Sequence, residues 1–151
     1  MHRGRGWRTL TLGGVALMRI DGALTRDAVD GTRRAQLEAL AARPAGMAFL
    51  LDVSSDDVVL PSAEVRAYAA EMAAKHAAGM LVHVTLLPGS GFRAAALRSA
   101  LTGIFFLARS PYPRAIVASE ADALARIERH LGADTPPLPD VLHALAALRA
   151  S

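Results

Sequence analysis

Three aspartates crowd one short stretch of this chain. Asp52 closes the apolar run 47–51, and Asp56 and Asp57 follow in the polar loop behind it. Neighbouring carboxylates are hard oxygen donors of the kind that share a divalent cation. Serines supply the other candidate chemistry. Ser54 and Ser55 lie in that loop, and Ser62 stands directly after Pro61, where a helix is expected to begin. There Ser62 is a good N-cap, and a phosphoryl group on it would be stabilised by the helix dipole.

Each candidate has a plainer account. An aspartate after a buried strand also suits a phospho-accepting receiver domain, with Thr85 on the next strand. That reading needs an acidic pair after the first strand and a lysine ending the last, and the single lysine, Lys75, falls on an expected helix. Solvated loop acids suffice. Gly89-Ser90-Gly91 ahead of a helix could hold an anion, but it lacks the longer phosphate-loop and dinucleotide patterns and reads as a turn with Ser90 as cap. Neither Ser62 nor Ser90 sits in a G-x-S-x-G elbow. His83 alternates within an expected strand and His76 lies on a helix's apolar side, so both read as packing residues, and the five histidines show no metal-ligand spacing. There is no cysteine, hence no disulfide, thiolate site or thiol nucleophile. No complete catalytic site is readable, and the expectation is a non-enzyme with no metal or cofactor.

The elements that would position these residues follow from local signals. Two β-like runs, 7–12 and 15–20, flank Gly13-Gly14, a two-residue hairpin signal for a type I′ turn. Thr25 can cap a helix running to about Arg43 and stopped by Pro44, with Val29, Leu37 and Leu40 at helical spacing. Gly31 inside it costs about 1 kcal/mol relative to alanine. The run 47–51 looks like a strand buried on both faces. A helix over 63–78 places Val65, Tyr68, Ala69, Met72 and His76 on one side, with Gly79 as its C-terminal stop. Strand 80–87, helix 92–108 and strand 114–118 come next. Ser119 and Asp122 suggest a capping box for a helix ending at Leu131.

Strands alternating with helices imply an α/β fold, with a mostly parallel sheet of about five strands, an N-terminal β-hairpin and helices on both faces. The domain is expected over 1–132, with a proline-rich linker at 133–139 and an amphipathic tail helix at 140–151.

Composition narrows the partners. At 151 residues the chain suits one domain, burying roughly 70% of its unfolded surface. Sixteen arginines give a net charge of only +3 and form no stripe, and aromatics are 5% of the chain, so a nucleic-acid partner is not expected. The basic N-terminus has no apolar segment behind it and no stretch reaches the roughly 20 residues of a membrane span. A cytoplasmic, non-transmembrane protein is expected.

The order of elements and the Leu50-Leu51-Asp52-Val53-Ser54 … Leu60-Pro61-Ser62-Ala63 stretch together resemble the STAS family, the anti-sigma-factor antagonist fold with its small lipid-binding-like relatives. In that family a strand ends in Asp-Leu-Ser, and Asp-Ser-Ser-Gly-Leu opens the next helix. Ser62 falls on the position of its switch serine, while Leu60, Pro61 and Ala63 stand where the family carries an acid, a serine and a glycine. The closing segment 116–124 is similar too, and the resemblance covers about residues 8–131. It implies a regulatory module that docks an anti-sigma-like or kinase-like protein through Asp52, Ser54, Ser55 and a degenerate switch at Ser62. The alternative is a module for an apolar small molecule or lipid, with helix 92–108 (Phe92, Leu97, Leu101, Ile104, Phe105) lining a pocket. That helix is apolar on more than one side, so it or the tail helix (Val141, Leu142, Leu145, Leu148) could also form a homodimer.

Overall fold

Gly13 and Gly14 fold Trp7–Leu12 back onto Val15–Ile20, and those two strands organise the rest of the sheet. In the computed structural model, which describes residues 1–151, a short strand precedes them, His2–Gly4 (β1), so the hairpin strands are β2 and β3. The first helix, α1, spans Arg26–Ala42; β4 is Met47–Asp52 and α2 is Ala63–Lys75. Then come β5 (Met80–Leu86), α3 (Phe92–Ala108), β6 (Arg114–Val117) and α4 (Glu120–Leu131). A 3-10 turn at Gly132–Asp134 leads into α5, Leu138–Ala150.

The sheet runs β1-β2-β3-β4-β5-β6, antiparallel through β3 and parallel from there on. It has one more strand than expected, because β1 pairs with β2 beyond the hairpin. Of the turn glycines only Gly13 has positive φ, 53°, so the turn has the φ signs of type II′ rather than the expected I′.

The monotonic strand order decides where the helices go. Right-handed crossovers that always step the same way leave every connecting helix on one face. Accordingly α1, α2 and α3 share the first core with Met18, Ile20, Phe49 and Leu51. The opposite face is left to whatever follows β6. There α4 and α5 cover Val15, Leu17, Leu50, Val82 and Val84. The tail helix is thus a structural layer of the sheet. Val141, Leu145 and Leu148 are buried against the chain's own strands, so this face is not free for a second copy.

Several local expectations shift. Thr25 and Ser119 cap α1 and α4, accepting from the Ala28 and Asp122 amides. However, α3 begins at Gly91 with no side-chain cap, so Ser90 does not serve. Helix α2 stops at Lys75, with His76 as C-cap, short of Gly79. On α1 the buried line is Ala28, Gly31, Ala35 and Ala39, whereas Leu37 is 50% exposed. Small residues let that helix approach the sheet closely. Trp7 lies across it: a Cβ on Gly31 would meet the indole Cη2 at 2.3 Å, so the helical glycine makes room for the ring.

Candidate functional site

Side chains alternate across a strand, and this parity separates the expected site residues. Asp52 shares its face with Ala48 and Leu50, the side covered by α4 and α5, while Ser62 opens α2 on the other side of the sheet.

Asp52 has no exposed surface. Its Oδ2 accepts from Arg19 Nη1 at 2.9 Å and from Arg149 Nε at 2.8 Å, and its Oδ1 accepts from the Ser54 amide at 2.9 Å. Ser54 Oγ accepts from Arg19 as well, at 3.0 Å. Burial pushes the Asp52 carboxyl up, but the hydrogen bonds from Ser54 and Arg149 outweigh it, and the pKa lies below 3.8. Beyond Asp52 the charges alternate: Arg8 pairs with Asp21, Asp21 with Arg19, Arg19 with Asp52, Asp52 with Arg149, and Arg149 with Glu120. Three cations face three anions, so the cleft above these strand ends is neutral. The arrangement clamps the tail helix to the sheet. Asp56 instead pairs with Arg93, and no group of three metal-ligating side chains comes together.

The loop between β4 and α2 is pinned. Arg93 Nη2 donates to the Ser55 and Val58 carbonyls at 2.8 and 3.1 Å, Val58 is buried, and Val59 bridges to Ala23. Ser55 Oγ accepts from the Asp57 amide. Ser62 is exposed and its Oγ accepts from the Val65 amide at 3.2 Å, an ordinary N-cap. Val59 and Leu60 just before it are 56% and 50% exposed.

On the α1–α3 side lies a cavity of about 100 Å³. Its floor is sheet: Met18, Phe49, Leu51, Met80 and His83. Its walls are the helices, with Leu101, Ile104 and Phe105 from α3 and Ala69, Met72 and Ala73 from α2. Of the expected face of α2, Ala69, Met72 and His76 border the cavity, while Val65 and Tyr68 do not, and the Tyr68 hydroxyl donates to Asp30 instead. Of the α3 residues singled out, Leu97 is buried in the core without bordering the cavity, and Phe92 is 91% exposed.

His83 stands between two aromatic rings, with the centroids of Phe49 and Phe105 each 4.8 Å away in edge-on geometry. The ring keeps some accessible surface because it borders the cavity, yet protein packs densely around it. Burial, and secondarily the Arg114 charge, lowers its pKa to about 3. The imidazole is neutral at ordinary pH and contributes an aromatic wall. Thr32, also in the lining, donates its hydroxyl to the Ala28 carbonyl, and no carboxylate or serine borders the space. Arg33 and Gln36 from α1 and His76 after α2 are half-buried polar groups of the lining. No sequence signal announced the cavity, since three strands and three helices contribute to it.

No protein-family model matches the sequence, and no curated protein is significantly similar to it. In structure the chain is similar to the crystal structure of an uncharacterized protein of the DUF3478 family, with a SpoIIAA-like fold, from Shewanella loihica PV-4. The likeness covers 75% of this chain and 83% of that one, at 18% identity and a TM-score of 0.50. The fold is STAS-like, as the order of elements implied. No helix is long and apolar enough to cross a membrane.

Proposed function

We propose that this chain is a non-catalytic binding module whose ligand is a small apolar molecule held between the sheet and α1–α3. The observation that carries the reading is the cavity itself. A dense interior has few voids larger than a water molecule, and this one is lined mostly by Met, Leu, Ile and Phe side chains. The space is partly open and has Arg33, Gln36 and His76 in its lining, but its wall is mainly apolar and suits an apolar guest; an enclosed apolar cavity of about 150 Å³ binds benzene. The neutral His83 and the occupied Thr32 hydroxyl support binding rather than chemistry.

The test is a thermal-shift and native mass-spectrometry comparison of the wild type with Ala73→Leu, using benzyl alcohol as probe. Leucine at this position fills the cavity from α2. The expected result is a dose-dependent stabilisation of the wild type that Ala73→Leu lacks. Equal responses of the two proteins would refute the reading.

A second reading, a docking edge for an anti-sigma-like or kinase-like protein, is favoured by the exposed Val59 and Leu60 beside Ser62. Its test is the set of proteins recovered by the wild type and by Ser62→Asp. A set that does not change removes the serine as a switch.

A further inference from the structure

Three polar groups of the cavity's lining, Arg33, Gln36 and His76, are not spent on the protein. Arginines without a hydrogen bond or ion pair, such as Arg3, Arg66, Arg98, Arg109 and Arg126, otherwise stand exposed. Arg33 is the exception. It has no partner, is half-buried and borders an apolar cavity. Gln36 lies one turn further along the same face of α1 and its amide makes no hydrogen bond within the chain either. His76 borders the space from the end of α2. Its pKa is lowered, by burial first and then by the charges of Arg33 and Lys75, so its ring adds little positive charge. The polar end of the cavity thus offers one uncompensated cation and neutral hydrogen-bonding groups.

We infer that the cavity takes a small carboxylic acid, its apolar body between Phe49, His83 and Phe105 and its carboxylate paired with Arg33. This rests on the cavity being a binding site. The chemistry follows from the inventory. A guanidinium is a planar fork matched to a carboxylate. One cation balances a monoanion, whereas a phosphate dianion would leave charge over. Ligand pockets for drug-sized molecules run to roughly 300–1,000 Å³, so a partly open space of about 100 Å³ suits a short branched chain, or a single ring whose head group reaches the open side, and is too small to enclose a long acyl tail.

The experiment is calorimetric titration of benzoate and of benzyl alcohol, which differ at the head group, into the wild type, Arg33→Gln and Ala73→Leu. The wild type is expected to bind benzoate more tightly than the alcohol. Arg33→Gln should weaken benzoate about ten- to hundredfold and leave the alcohol within about twofold, while Ala73→Leu should abolish both. If the alcohol binds and benzoate binds no better, or if Arg33→Gln does not weaken benzoate, the carboxylate inference is overturned and the cavity reading stands. If neither probe binds, or benzoate binds Ala73→Leu as it does the wild type, both fall.

Discussion

Arg149 and Asp52 lie 97 residues apart, and the guanidinium Nε of the first donates to Oδ2 of the second at 2.8 Å. The bond joins the last turn of the chain to the end of the central strand β4. Breaking a buried pair from the buried side leaves uncompensated charge and costs about 3–5 kcal/mol. Asp52→Ala should therefore lose about 3 kcal/mol or more in urea unfolding. Arg149→Met keeps Arg19 on Asp52, and its own side chain is a third exposed, so about 1–2 kcal/mol is expected. A loss for Asp52→Ala no larger than that for Arg149→Met would contradict the clamp.

The tail helix carries a second expectation. Leu145 is 1% exposed in the core under α5, and Leu145→Ala should cost about 2–5 kcal/mol. Leu37→Ala, on the exposed side of α1, should stay within about 0.5 kcal/mol. Denaturant midpoints for the two variants check the contrast.

Gly31→Ala reverses a familiar sign. Replacing a helical glycine by alanine ordinarily stabilises by about 1 kcal/mol. Here the new methyl meets Trp7, and overpacking of about 1–3 kcal/mol should win. Trp7→Leu in the same chain should return part of the loss, measured as a double-mutant coupling.

These contrasts mark what was legible in the sequence. Thr25, Ser119 and the two-glycine turn act within a few residues, so caps and hairpin could be read directly. The apolar run ending at Asp52 announced its strand in the same way. Strand β1 could not be read, because His2–Gly4 has no alternation and is a strand only by pairing with β2. On α1 only Leu37 is out of place: alanines meet the sheet, while Leu40 packs against the core and Val29 borders the cavity. Asp52 was legible as a candidate but not as a clamp, since its partner comes from the last helix. The cavity was the least legible of all, being a gap between elements distant in sequence.

His83 makes stability depend on pH. Its pKa is 6.5 when free and about 3 in the fold. Between those values the unfolded chain binds a proton that the native chain refuses, so stability falls as pH drops through that window. The full effect is at most about 5 kcal/mol. Above pH 6.5 the group adds no slope. Asp52, held below 3.8, adds a loss of the same sign at lower pH, as its native carboxyl becomes protonated. His83→Leu should flatten the decline across the upper window. Urea midpoints measured along the pH series would show an unchanged slope if the ring were not buried neutral.

The most direct measurement of the binding account uses reporters already in the chain. Of the five methionines, Met18, Met72 and Met80 border the cavity, while Met1 and Met47 do not. In a carbon-13 methyl-methionine NMR titration with benzyl alcohol, the three cavity methyls should shift together along one saturating curve, with Met1 and Met47 unmoved. Shifts spread evenly over all five, or none at the cavity methyls at saturating probe, would contradict it.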